Sequence, residues 1–108
     1  MLRVAIVGAG GIARRHVEAV DQIDFARVVA VVDIDAAKAE RLAGQAGAKS
    51  YTALEECVAD VDVVHVLTPP SKRRAIVDIA AQAGRHIICE KPLAISLEDG
   101  EAIVTAAE

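Results

Sequence analysis

Aromatic side chains are almost missing from this sequence. Phe25 and Tyr51 are the only two among 108 residues, and there is no tryptophan. A core without rings must be built from Val, Ile, Leu and Ala, which suits a parallel sheet covered by helices on both faces. A basic excess is also lacking: 16 acidic residues face 12 basic ones, a net charge of -4. No broad surface attracts phosphate backbones, so nucleic acid is not an expected partner. Cysteine is scarce. Cys57 and Cys89 stand far apart and form no metal-type spacing with His16, His65 or His86, so the expectation is two buried, reduced thiols in a cytoplasmic protein and no metal site. No apolar run approaches the ~18 residues that span a bilayer, so no membrane association is expected. The stretch Val4–Ala13 after Arg3 superficially resembles a secretory signal. Its three glycines, and Arg14-Arg15 at the wrong end, fit a strand, turn and helix better.

What is abundant is apolar and regularly spaced: 54% of residues are hydrophobic. A chain of this length forms one domain over residues 1–108 and buries roughly two-thirds of its unfolded surface. Continuous apolar runs at Leu2–Val7, Ala26–Val32, Val63–Leu67 and His86–Cys89 read as buried strands, with a short fifth near Lys49–Tyr51. Helical periodicity separates them. Ile12–Ile23 places Ala13, Val17 and Val20 on one face. Asp35 is positioned to cap Ala36–Ala43, with Gly44 or Gly47 at its end. Thr52-Ala53-Leu54-Glu55 has capping-box spacing and marks a brief helix ending by Asp60. A helix from about Ser71 to Ala83 closes at Gly84, and Ser96-Leu97-Glu98-Asp99 opens a last one that reaches Ala107. This alternation specifies a doubly wound parallel α/β sheet of the Rossmann type, in strand order 3-2-1-4-5. A sixth strand normally follows such a final helix. It is absent, as is a second domain, and truncation is the simplest reading.

The chemistry gathers where that topology puts the carboxyl ends of the strands. Gly8-Ala9-Gly10-Gly11-Ile12-Ala13 follows the first strand and opens the first helix, the context that gives a GxGxxG/A pattern meaning. Gly8 permits the tight turn, Gly10 lets the backbone approach a pyrophosphate, and Ala13 keeps the helix close to the sheet. The diphosphate then rests on free N–H groups at the positive end of the helix dipole. Asp33 closes the second strand 25 residues after Gly8, where a carboxylate accepts bonds from both hydroxyls of the adenosine ribose. A 2′-phosphate would meet Asp33 and Asp35 instead, and no Arg or Lys immediately follows to offset them, so NAD is expected over NADP. Ile34 belongs to the same cofactor-binding set. Thr68-Pro69-Pro70, after the fourth strand, forms either a rigid wall against the cofactor or a plain strand terminator. Glu90-Lys91-Pro92 follows the fifth strand at the same edge. An ammonium there can neutralise charge developing on a substrate oxygen. In isolation, the same two residues read as a solvated ion pair.

From Gly8 to the last helix the chain resembles the N-terminal domain of the glucose–fructose oxidoreductase, inositol dehydrogenase and rhizopine-catabolism dehydrogenase family. The resemblance is carried by the glycine turn with His16, by Asp33, by Val63–Pro70, and by Gly84–Ala94 with Glu90-Lys91-Pro92 at its centre. It implies that Lys91 is catalytic and touches substrate and nicotinamide, that Glu90 lies near the nicotinamide ribose, and that the Lys91–Pro92 bond is cis. One residue departs from the pattern: Arg73 stands where members commonly carry His. Arg73 either favours an anionic ligand or, the reading preferred on sequence, is a solvated residue in the first helical turn. His65 reads as a hydrogen-bonded packing residue in a core strand.

The resemblance further implies a second α/β domain that handles a sugar, cyclitol or other small polyol, so this chain is expected to bind dinucleotide but turn over substrate poorly. The alternatives are a stand-alone dinucleotide-binding or sensing module and a different nucleotide-binding Rossmann protein of the methyltransferase kind. Glu90-Lys91-Pro92 argues against the last. Strand five would be left as a bare edge, and self-association through it is expected.

Overall fold

The computed structural model describes all of residues 1–108. Five strands, β1 (Leu2–Val7), β2 (Ala26–Val32), β3 (Lys49–Tyr51), β4 (Val63–Val66) and β5 (His86–Cys89), alternate with four helices, α1 (Ala13–Asp21), α2 (Ala36–Ala46), α3 (Pro70–Gln82) and α4 (Leu97–Ala107). The strands form one sheet in the order β3-β2-β1-β4-β5, and every pairing is parallel. The expected topology is therefore the observed one. No helix is long and apolar enough to cross a membrane.

Strand alternation divides the core in two. Val4, Ile6, Val28 and Val31 face α1 and α2, where they meet Val17, Val20, Ala39 and Leu42. Ala5, Val7, Ala30, Val32, Val64 and Val66 point the other way and pack with Leu54, Val61, Val77 and Ile103. Each Val, Ile or Leu side chain taken out of water contributes roughly 1.5–3 kcal/mol, an alanine methyl less, and the β-branched residues fit the pleated surface they fill. A shift in the β1–β2 register between Val4 and Ala5 skips Val29.

Local chemistry sets the helix ends. Asp35 Oδ1 accepts from the amides of Ala37 and Lys38, capping α2 as anticipated. That helix runs three residues beyond the expected Ala43, to Ala46, and stops at Gly47 in the left-handed region, φ +68°. Gly44 stays helical. Ser96 Oγ caps α4 by accepting from the Asp99 amide at 3.1 Å. The anticipated capping box after β3 is displaced by one residue. Glu56, not Glu55, reaches back to the amides of Thr52 and Ala53, and two 3₁₀ turns, Leu54–Glu56 and Val58–Asp60, stand in place of one brief helix. β4 ends at Val66 rather than Leu67. Of the two thiols, Cys57 is buried and Cys89 only half-buried, because Cys89 lies on the edge strand β5, which pairs with β4 alone.

Candidate dinucleotide site at the carboxyl edge of the sheet

The strand order reverses between β1 and β4, so the loops that follow them diverge and leave a crevice. Gly8 sits at its floor. Its φ is +101°, and a Cβ there would lie 2.9 Å from both the Leu67 carbonyl carbon and the Thr68 nitrogen. The turn out of β1 is therefore in contact with the backbone leaving β4, and only glycine fits. Gly10 and Gly11 differ: a Cβ on either would meet nothing within 4 Å. Their missing side chains serve no contact within the protein.

α1 begins just beyond, with no side chain capping it and no acidic residue in its first turn. Asp33 stands at the rim. Its Oδ2 accepts from the Ala9 amide at 2.8 Å and its Oδ1 from the Asp35 amide at 2.8 Å, which fastens the glycine turn to the end of β2. Each oxygen keeps a further lone pair. Ile34 projects almost completely into solvent, 92% exposed. On the other side, the hydroxyl of Thr68 is buried with no protein partner, and Pro69 and Pro70 lead into α3, Pro70 as a helix-opening residue. A turn open where a Cβ would project, an uncapped helix end and an orphaned hydroxyl beside them suit a diphosphate with its attached sugars.

Arg73 is not solvated. It is only 4% exposed. Its Nε donates to the Thr68 carbonyl at 2.9 Å, and its Nη1 donates to the carbonyls of Glu90 and Pro92. A first-turn residue on α3 faces inward here because the loops after β4 and β5 bring three carbonyls together that need donors. The guanidinium fork supplies them from one side chain. The Lys91–Pro92 bond is cis, and Lys91 is exposed.

Two residues missing from the expected set join the site through space. His16, on α1, places Nε2 2.9 Å from Glu90 Oε2 and Nδ1 2.9 Å from His65 Nδ1. The His16 and His65 rings meet edge to face, with centroids 5.2 Å apart and planes at 85°. Burial, and then the neighbouring His16, lower the His65 pKa from 6.5 to about 4. The hydrogen bond from His16 is the main cause holding the Glu90 carboxyl below its ordinary value. His65 is thus a packing histidine as expected, with a partner 49 positions away. The one signal available beforehand was its place as the sole polar residue of an apolar strand.

Residues 2–108 match the model of an oxidoreductase family with an NAD-binding Rossmann fold. Glucose-6-phosphate 3-dehydrogenase of Bacillus subtilis is 35% identical over 108 residues, covering all of this chain and 31% of the relative. Inositol 2-dehydrogenase of Rhizobium meliloti is 38% identical over 98 residues, 90% of this chain and 30% of the relative. Among solved structures, the WlbA dehydrogenase from Bordetella pertussis, in complex with NADH and UDP-GlcNAcA, superposes with a TM-score of 0.92 at 31% identity, covering 98% of this chain and 33% of that one. KijD10, a 3-ketoreductase from Actinomadura kijaniata in complex with NADP, gives 0.88 at 27% identity over 98% of this chain and 34% of its own. The chain spans about a third of the length of each. It belongs to the oxidoreductase family of the glucose–fructose oxidoreductase and inositol dehydrogenase type, as its NAD-binding Rossmann domain.

Proposed function

We propose that this domain binds NAD(H) across the β1–β4 crevice and serves a longer enzyme that transfers hydride at a CH–OH carbon of a sugar, cyclitol or related polyol. The contrast between Gly8 and Gly10 carries the reading. Gly8 is required by the protein's own backbone, whereas Gly10 and Gly11 leave space that the protein does not use. In this reading the amides of Gly10, Gly11 and Ile12 and the helix dipole take the diphosphate, while the Ala13 amide closes the turn on the Gly10 carbonyl. Asp33 offers its remaining lone pairs to the adenosine ribose, beside exposed Ile34. Thr68, Pro69 and Pro70 wall the nicotinamide side, Arg73 steadies that wall, and Glu90 reaches the second ribose. Lys91 extends over the reacting carbon, where its ammonium steadies charge on the substrate oxygen. The nicotinamide, when bound, accepts or donates the hydride.

NAD is the favoured form in this reading. Asp33 and Asp35 both stand at the end of β2, and a 2′-phosphate placed there meets two carboxylates and no adjacent cation. Titration of the chain with NADH and NADPH, followed by nicotinamide fluorescence, tests both points. Micromolar to low-millimolar binding is expected, at least about tenfold tighter for NADH. In Asp33→Ser that ratio collapses. Absence of binding to either nucleotide by folded protein overturns the reading; equal binding to both overturns the preference.

A further inference from the structure

Glu90 and Lys91 belong to the loop after β5, and the loop is gripped from two sides. Arg73 holds its main chain from α3, through the carbonyls of Glu90 and Pro92. His16 holds the Glu90 side chain from α1. α1 is also the helix whose amino end opens at the glycine turn, so one nine-residue helix touches both halves of the site.

The protons on this chain of groups follow from its acceptors. An ionised carboxylate only accepts, so His16 Nε2 carries hydrogen and donates to Glu90. Two facing nitrogens 2.9 Å apart share one hydrogen. When His16 is neutral, its Nδ1 is bare and His65 Nδ1–H donates to it. When His16 is an imidazolium, the direction reverses and His65 carries its proton on Nε2. His65 satisfies either arrangement while itself remaining neutral, and in both the His16–Glu90 bond is kept. His16 is 17% and Glu90 33% exposed at the side chain, so the bond is shielded but not sealed.

We propose that His16 is a positioning residue that sets the Glu90-Lys91-Pro92 segment against the nicotinamide end of the dinucleotide, tying that segment to the helix that receives the diphosphate. The inference rests on the dinucleotide reading above. It makes a demand that a merely structural histidine would not meet. Loss of His16 must weaken ligands that reach the nicotinamide end and leave untouched those that stop at the diphosphate.

The test compares NADH with ADP, which has adenosine and diphosphate but neither the second ribose nor the nicotinamide, by calorimetry on the 108-residue chain and on His16→Ala, His16→Gln and His16→Asn. A Gln amide reproduces a donor near the Nε2 position, and Asn reproduces only the Nδ1 side. His16→Ala and His16→Asn are expected to lose about tenfold in NADH affinity with ADP binding unchanged within about twofold, and His16→Gln to recover most of the loss. Equal losses for both ligands, or no loss for either, overturn the inference while leaving the dinucleotide reading intact. Wild-type protein that binds neither ligand overturns both.

Discussion

Arg73 Nε donates to the Thr68 carbonyl at 2.9 Å, across the five positions between the exit of β4 and the first turn of α3. The same guanidinium satisfies the carbonyls of Glu90 and Pro92, so one buried cation joins the two loops that border the crevice. No carboxylate lies within salt-bridge distance of it, and its charge is met by backbone dipoles instead. Replacement by Met keeps much of the apolar stem and removes every donor. These carbonyls are part-buried, and taking away their shared donor costs about 1–3 kcal/mol in total. Arg73→Lys, a single point donor without a fork, is expected to recover less than half of that loss. Urea denaturation monitored by circular dichroism measures both; an Arg73→Met variant within about 0.5 kcal/mol of wild type would show that the guanidinium is not a structural tie.

The two glycine classes in the turn make opposite predictions. In Gly8→Ala the new methyl meets the backbone of Leu67 and Thr68 at 2.9 Å, with φ at +101°. Backbone cannot swing aside as a side chain can, so the variant is expected to lose about 2–4 kcal/mol. In Gly10→Ala the methyl meets nothing within 4 Å, so stability should stay within about 0.5 kcal/mol of wild type. On the proposed reading, in which the diphosphate passes over this turn, NADH affinity should instead fall by more than about tenfold. Thermal melts and fluorescence titrations on the same samples separate the two effects. Undiminished NADH binding by Gly10→Ala would mean that the diphosphate does not pass over this turn.

The strands were legible because buried parallel strands read as continuous β-branched runs. Leu2–Val7, Ala26–Val32 and His86–Cys89 are the observed strands residue for residue, and the short exposed strand expected near Lys49–Tyr51 spans those three residues without such a run. Caps that act within four residues, Asp35 and Ser96, were equally plain. α2 was read short because Gly44 looks like a stop. A helical glycine costs only about 1 kcal/mol, which Leu42 and Ala43, buried beside it, offset. The site divides the same way. Gly8 and Asp33 announce themselves by spacing from a strand end, and Lys91 by the family resemblance of Glu90-Lys91-Pro92. The inward turn of Arg73 does not, because its acceptors are main-chain carbonyls that leave no mark on composition. His16, His65 and Glu90 are 49 and 74 residues apart in sequence and meet only once β4, β5 and α1 are assembled.

Acid should destabilise the domain in two successive steps with different origins. His65 has a folded pKa of about 4 against 6.5 for a free histidine. Between those values the unfolded chain binds a proton that the folded chain does not, so stability falls as the pH drops from 6.5 towards 4 and is fully retained above that range. Asp62 accepts from the side chain and the backbone amide of Arg3, chiefly through the side-chain bond, which holds its carboxyl at about 2 against 3.8. Its contribution is present above pH 3.8 and is lost as the pH falls towards 2. His65→Asn retains a partner for His16 Nδ1 without titrating, and should flatten the upper step while sparing the lower. Asp62→Asn keeps an acceptor for the Arg3 amide and should do the reverse. Denaturant midpoints collected from pH 8 to pH 2 give the proton uptake directly, approaching one proton for the upper step. A wild-type curve that is level between pH 6.5 and 4, or one that His65→Asn leaves unchanged, would mean that His65 is not the group held neutral by burial.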